Sequence, residues 1–174
     1  MSIFQQQILP VRDKLYRFAL RITGSVHEAE DVVQDVLTKA WATAEKEQET
    51  AIQNWEAWCM TLTRNRSLDR NRSRDLRRTA PLEGVSESKS NDDSPARLTE
   101  SNDTTDFIKN LMKQLPEKQR LVMHLRDIEE MNYEEIGETL DITLDQVKVN
   151  LHRARKTMRE KILALQTTHS LRQN

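Results

Sequence analysis

A polar stretch in the middle of the chain constrains its fold more than any other feature. Residues 79–105 read TAPLEGVSESKSNDDSPARLTESNDTT, with two prolines, one glycine and almost no large apolar residues. Such a segment cannot bury enough apolar surface to offset the entropy lost on ordering, so it predicts a flexible linker. The 174-residue chain is therefore predicted to form two small domains, residues 1–78 and residues 106–174.

Apolar residues before the linker recur at the spacing of amphipathic helices, and three helices are predicted there. The first ends at Gly24, where a helix C-cap favours a positive φ. Ser25 and Glu28 then have the S-x-x-E spacing of a capping box. Polar residues 45–53 predict a loop or a frayed helix end, and the third helix begins near Asn54 and continues into an arginine-rich stretch. The predicted inward-facing residues are Ile8, Val11, Leu15, Phe18, Ala19, Ile22, Ala29, Val32, Val33, Val36, Leu37, Ala40, Trp41, Trp55, Trp58, Cys59 and Leu62.

The residues after the linker predict a helix-turn-helix. A helix is expected to begin at Pro116, since proline is favourable at the first helical position. Asn132 with Glu135, and Thr143 with Gln146, have the spacing of two more capping boxes, so a short helix, a three-residue turn and a long last helix should follow. The predicted buried residues are Leu121, Val122, Leu125, Ile128, Val147, Leu151, Met158 and Ile162.

The turn has the residues that a helix-turn-helix needs. Gly137 is small where the two helices cross closely, and Asp141 falls where the backbone needs a left-handed residue. With Val147 and Leu151 pointing inward, the next residues along the last helix must point outward. The outward-facing residues are Lys148, Val149, His152 and Arg153.

This outward face is the one that a recognition helix presents to the major groove. Arg155, Lys156 and Arg159 lie further along the helix and suit phosphates better than base edges. The alternative is a solvated cationic face on an ordinary bundle helix. The capped helix-turn-helix in front of it favours DNA binding.

Charge is strongly segregated although the net charge is only -1. Residues 64–78 hold seven arginines against two acids, and residues 148–161 hold six lysines and arginines against one acid. Local charge rather than net charge makes an electrostatic footprint, so these stretches predict two separate anion-binding surfaces. For residues 64–78, the alternative is a solubilising helix end that leads into the linker.

Composition excludes several classes of protein. Only three glycines occur, which disfavours a turn-rich β fold and leaves an all-α chain. The lone Cys59 excludes an intrachain disulfide and a multi-cysteine zinc site, and is expected to be a buried small hydrophobe. The histidines lack metal spacing and no nucleophile–base constellation occurs, so neither a cofactor nor a catalytic site is expected. No stretch has the length and apolar character of a signal peptide or a membrane span, which predicts a cytoplasmic protein.

Two sets of motifs resemble bacterial sigma factors. The segment LPEKQRLVMHLRDIEEMNYEEIGETLDITLDQVKVNLHRARKTMREKI resembles region 4, which binds the −35 promoter element. AEDVVQDVLTKAWA followed by NWEAWCMTLTRNRSLDRNRSR resembles region 2, which binds core RNA polymerase and the −10 element. Both regions with only a short linker between them resemble the extracytoplasmic-function group of the sigma-70 family. The family usually has alanine where Gly137 stands and glycine where Asp141 stands.

The resemblance implies an all-α protein of two small helical domains that binds core polymerase, through its β′ coiled coil and β flap, and promoter DNA. It implies no cofactor and no membrane insertion, and it leaves open whether an anti-sigma factor exists. The implied docking residues for the β′ coiled coil are Asp31, Gln34, Asp35 and Thr38. Those for the −10 element are Arg64, Asn65, Arg66, Arg70, Arg72 and Arg74. Those for the −35 element are Thr143, Gln146, Lys148, Val149, His152, Arg153, Arg155 and Lys156.

Two other functions remain open at this point. One is a helix-turn-helix regulator that binds duplex DNA as a dimer without polymerase, which would need a ligand-binding or dimerisation domain in place of an acidic docking helix. The other is a protein-interaction module, which would not need two basic surfaces. Trp55 and Trp58 could stack on unpaired bases, but their spacing on an apolar face favours the core.

Overall fold

Helices account for every regular element in residues 2–46, 52–79 and 103–171, the part of the chain that the computed structural model describes. This confirms the predicted all-α fold class. The helices belong to two units, here called the N-terminal unit (up to Thr79) and the C-terminal unit (from Asp103). Most of the predicted linker, residues 80–102, and residues 47–51 of the predicted loop lie outside the described residues.

The N-terminal unit is a bundle of three α-helices preceded by shorter turns. A π-helical turn, Phe4–Ile8, and a 3₁₀ turn, Leu9–Val11, lead into α1 (Arg12–Thr23), which is followed by α2 (Val26–Lys46) and α3 (Trp55–Thr79). The three α-helices pack against one another in pairs. Their fully buried side chains include Leu15, Phe18, Val32, Val36, Cys59 and Met60.

Local signals set the ends of these helices. Gly24 ends α1 with a φ of 67°, and its N–H donates to the Leu20 carbonyl at 2.9 Å, as predicted. Asn54 begins α3 by accepting a hydrogen bond from the Ala57 N–H at 2.9 Å. Only half of the predicted Ser25–Glu28 box forms: Ser25 Oγ accepts from the Glu28 N–H at 3.4 Å, while the Glu28 carboxylate pairs with α3.

The three tryptophans lie in different environments. Trp55 is buried, and its ring meets that of the half-buried Trp58 edge-on, with 5.4 Å between centroids. The prediction that Trp41 belongs to the core is wrong, because its side chain is 48% exposed. It lies about 100° round α2 from the buried Ala40, which takes it past the edge of the apolar stripe.

The C-terminal unit contains four α-helices in its described residues. They are α4 (Asp103–Lys113), α5 (Glu117–Met123), α6 (Tyr133–Leu140) and α7 (Leu144–Leu171), with a π-helical turn, His124–Ile128, after α5. Leu111, Met112 and Leu115 pack with Ala154 and Met158 to join α4 to α7. Pro116 is the N-cap of α5 rather than its first helical residue, with a ψ of 144°.

The π-helical turn changes which residues of this segment are buried. Leu121, Val122 and Leu125 are buried as predicted, but Ile128 is 41% exposed, so its assignment to the core is wrong. The prediction assumed α-helical spacing, whereas the wider i→i+5 turn rotates Ile128 away from the core. The first residue of the turn, the buried His124, contacts the residue that follows the turn: its Nε2 lies 3.1 Å from Glu129 Oε1.

The helix-turn-helix forms as the sequence predicts. Asp141 has a φ of 53°, in the left-handed region. A Cβ atom on Gly137 would lie 3.0 Å from the Ile142 carbonyl oxygen and 3.9 Å from Val147, so the helices cross closely at this glycine. Both predicted capping boxes are reciprocal: Asn132 and Glu135 exchange hydrogen bonds of 2.8 Å, and Thr143 and Gln146 exchange bonds of 3.1 and 3.2 Å.

Candidate polymerase and promoter interfaces

The first candidate interface is the solvent face of α7. Val147 and Leu151 are buried in the C-terminal unit, which turns the opposite side of the helix to solvent. Lys148, His152 and Arg153 are all exposed there, as predicted. None of these three makes an ion pair or hydrogen bond with the residues described by the structure, so their donors are available to a ligand.

Two further features of this face bear on base recognition. Val149 is 45% exposed among these cationic residues, and an exposed apolar group can contact a thymine methyl in the major groove. Thr143 and Gln146 use their side chains to cap α7. They therefore have fewer free hydrogen-bonding groups than the sequence alone indicates.

The residues predicted to meet phosphates are partly engaged within the protein. The Arg155 guanidinium donates two hydrogen bonds to the Asp127 carboxylate, one of them from Nε at 3.2 Å. These hydrogen bonds are the main reason that the pKa of Arg155 is raised above its ordinary value. Lys156 Nζ lies 4.0 Å from Glu160. Arg159 is exposed, and it lines a shallow groove on the surface of α7 together with Arg155, Lys156 and Tyr133.

The second candidate interface is the polar face of α2. Gln34, Asp35 and Thr38 are exposed, and Asp31 is half-buried. Thr38 donates to the carbonyl of Gln34 at 2.8 Å, so its hydroxyl is satisfied within the helix. Asp31 and Asp35 share one cationic neighbour, which comes from α3.

That neighbour is Arg70, which meets three carboxylates of α2. Its Nη1 lies 3.4 Å from Glu28 and 3.3 Å from Asp31, and its Nη2 lies 3.3 Å from Asp35. Partial burial lowers the pKa of Arg70. The hydrogen bond to Asp35 and the three negative charges together outweigh this effect, so the pKa lies above its ordinary value. The side chain assigned from sequence to promoter DNA is thus paired with the face assigned to polymerase.

The other residues of the arginine-rich stretch fall into two groups. Arg74 donates to the Thr23 carbonyl at 3.2 Å and to Asn71 at 3.3 Å, so it caps the C-terminus of α1. Arg66 is exposed on α3, as is Asn65, which accepts a hydrogen bond from Arg64 at 3.3 Å. Exposed Arg72 lies 3.6 Å from Asp69, one turn earlier on its own helix. The sequence offers no local signal that separates Arg74 from its neighbours.

Several kinds of site are not found in residues 2–46, 52–79 and 103–171. No group of three or more metal-ligating side chains occurs there. No helix in this part of the chain is long and apolar enough to cross a membrane. Cys59 is buried as expected, and desolvation raises the pKa of its thiol to about 12.

A three-helix bundle with an acidic face, followed by a helix-turn-helix with an exposed cationic face, defines a protein of the transcription machinery. Comparison with known families agrees: a Sigma-70 region 2 model matches residues 8–77, and a Sigma-70 region 4 model matches residues 108–158. Neither model describes an enzyme.

Individual relatives give the same result. The extracytoplasmic-function (ECF) RNA polymerase sigma factor SigL of Mycobacterium tuberculosis is 33% identical over 149 residues, which cover 83% of this chain and 80% of that protein. The ECF sigma factor SigE of Mycolicibacterium smegmatis is 30% identical over 149 residues, covering 85% of this chain and 57% of that protein. The solved structure of sigma factor RpoE from Bartonella quintana, in complex with the anti-sigma factor NepR, matches with a TM-score of 0.65 at 28% identity, covering 90% of this chain and 94% of that one.

The chain therefore belongs to the extracytoplasmic-function group of RNA polymerase sigma factors, in the sigma-70 family. This confirms the family resemblance found in the sequence. Against SigE, the chain spans 57% of the relative's length.

Proposed function

We propose that this chain directs RNA polymerase to promoters by means of separate surfaces on its two units. The observation that carries the proposal is the cationic face of α7, where Lys148, His152 and Arg153 are exposed and unpaired within the described residues. A helix-turn-helix positions such a face for the major groove. In this assignment the C-terminal unit recognises the −35 element.

The N-terminal unit is assigned to core polymerase and the −10 element. The acidic face of α2 suits a basic helical partner, because complementary charges set the register and speed the encounter. On α3, Asn65, Arg66 and Arg72 are exposed and can follow a DNA backbone. Arg74 is instead assigned to holding α1 and α3 together, since it already caps α1.

A charge reversal tests the docking assignment. The double variant Asp31→Lys/Asp35→Lys should lose binding to core polymerase, measured by titrating labelled chain with core enzyme. Both carboxylates are substantially exposed, at 36% and 47%, so the far-ultraviolet circular dichroism should stay that of the wild type.

A matched control separates the docking face from total charge. Asp13→Lys/Glu30→Lys makes the same change in net charge at exposed residues of α1 and α2 that the docking assignment does not use. This control should bind core polymerase as the wild type does. If a folded Asp31→Lys/Asp35→Lys variant retained full affinity for core polymerase, the assignment of the α2 face to polymerase docking would be wrong.

The remaining parts of the assignment follow from the same role. The chain would act without a catalytic step, in the cytoplasm, where polymerase and promoters are. RpoE of Bartonella quintana was solved with an anti-sigma factor, so an anti-sigma partner is proposed for this chain too.

A further inference from the structure

Arg70 joins two surfaces that the proposed function assigns to different partners. It lies on α3 among the residues assigned to the −10 element, yet it contacts Asp31 and Asp35 of the polymerase-docking face. We propose that Arg70 couples the two binding events: it occupies the acidic face in the free chain, and docking of polymerase on that face releases it to promoter DNA. This inference rests on the proposed function.

The geometry of the cluster implies that cations of polymerase can replace Arg70 at little cost in free energy. Glu28, Asp31 and Asp35 lie on successive turns of α2, so three negative charges share one guanidinium. Another basic group beside them is the exposed His27, whose Nδ1 lies 3.5 Å from Asp31. All three contacts of Arg70 are 3.3–3.4 Å long, and the Arg70 side chain is 35% exposed. Partly exposed ion pairs of this kind contribute little to stability, because water screens the charges. A basic polymerase surface that supplies its own cations can therefore replace Arg70.

Arg74 lies one turn after Arg70 on α3, but its side chain has different partners. Arg74 donates to a backbone carbonyl and to Asn71, which no basic partner would take from it. Arg70 is bound only by carboxylates, and two of these belong to the docking face. Once freed, Arg70 lies one helical turn from exposed Arg66, so it extends a cationic path along α3.

Thermodynamic linkage makes the effect reciprocal. If polymerase docking raises the affinity of the chain for DNA by releasing Arg70, DNA that binds Arg70 must raise the affinity for polymerase by the same factor. The chain itself would then make one phosphate contact fewer when free than it makes within the holoenzyme. The number of phosphate contacts is measurable, because each changes the salt dependence of DNA binding by about 0.7–0.9 in log–log slope.

The test compares Arg70→Gln with Arg72→Gln in the full chain. Arg72 is the matched control, because it lies on the same stretch but pairs only with Asp69 of its own helix. Arg70→Gln removes the internal competitor, so it should bind core polymerase about two- to five-fold more tightly. Arg72→Gln should bind core polymerase with wild-type affinity.

DNA binding is then measured against salt, for the free chain and for the holoenzyme on the same promoter fragment. Arg70→Gln should reduce the slope by about 0.7–0.9 in the holoenzyme only, and Arg72→Gln should reduce it in both. A second variant, Glu28→Gln, weakens the cluster without touching the assigned docking residues. It should raise the salt slope of the free chain by up to about 0.7–0.9, the contribution of one phosphate contact.

Three results would overturn the coupling. Weaker core binding by folded Arg70→Gln would mean that Arg70 only positions the carboxylates. An equal loss of slope in the free chain and the holoenzyme would mean that Arg70 is never sequestered. Wild-type behaviour of both Arg70→Gln and Glu28→Gln would mean that the cluster has no role in binding. Failure of the docking assignment itself is seen separately, as retained core binding by Asp31→Lys/Asp35→Lys.

Discussion

Val147→Asp should unfold the C-terminal unit and leave the N-terminal unit folded. Val147 is fully buried where α6 and α7 cross, 3.9 Å from the position that a Gly137 Cβ would take. The variant loses about 1.5–3 kcal/mol of apolar burial and adds several kcal/mol for a carboxylate without a partner. A unit of this size is stable by only about 3–10 kcal/mol, so a cost of roughly 5–8 kcal/mol removes most or all of that stability.

The tryptophans allow the two units to be followed separately. Trp41, Trp55 and Trp58, the only tryptophans in the sequence, all belong to the N-terminal unit, whereas both units contribute to the circular dichroism of helices. Val147→Asp should lose about half of the helical signal while the tryptophan emission and its thermal transition stay unchanged. Val149→Asp is the matched control: it places the same charge two residues later at an exposed position, and it should stay folded. A Val147→Asp chain with wild-type helix content and a cooperative melt of both units would refute the reasoning.

Three further predictions concern the thiol, the turn and the recognition helix. Cys59 should resist alkylation in the native chain at pH 8; because its pKa rises from an ordinary 9 to about 12 on folding, the N-terminal unit should lose stability as the pH rises above 9, and rapid native labelling would contradict its burial. Asp141→Gly should raise the melting temperature of the C-terminal unit by relieving up to about 1 kcal/mol of strain at a φ of 53°, whereas a lower one would show that the aspartate stabilises the turn. In holoenzyme on a library of −35 variants, Arg153→Ala should change the preferred sequence, at a cost of about 1–3 kcal/mol for one base, and Arg159→Ala should lower every affinity alike; a uniform loss with both would leave base recognition to Lys148 and His152.

Features that depend on neighbouring residues were predictable from the sequence. The capping boxes at Asn132 and Thr143 and the left-handed Gly24 and Asp141 involve only residues within one helical turn. The buried side of α7 follows from helical periodicity for the same reason. These local rules also fix the outward direction of the cationic face of α7, and all eight residues predicted to meet the −35 element are exposed.

Features that depend on distant residues were not predictable. The partners of Arg70 lie 35 to 42 residues earlier in the chain, and the carbonyl that Arg74 caps lies 51 residues earlier. The sequence shows a single run of arginines, and only the packing of α3 on α1 and α2 divides them into paired and exposed groups. The prediction that Ile128 is buried failed for a different reason, since a π-helical turn carries no clear signal in the pattern of apolar residues.

Promoter-directed transcription by the reconstituted holoenzyme tests the central claim most directly. Core polymerase, the chain, and the two together would be compared for binding to, and run-off transcription from, a library of promoter fragments. The account predicts selective initiation only with the holoenzyme, and loss of selectivity with Arg153→Ala. If the chain alone selected the same duplex sites without polymerase, and added nothing to initiation by core enzyme, it would act as an independent helix-turn-helix regulator and the account would be wrong.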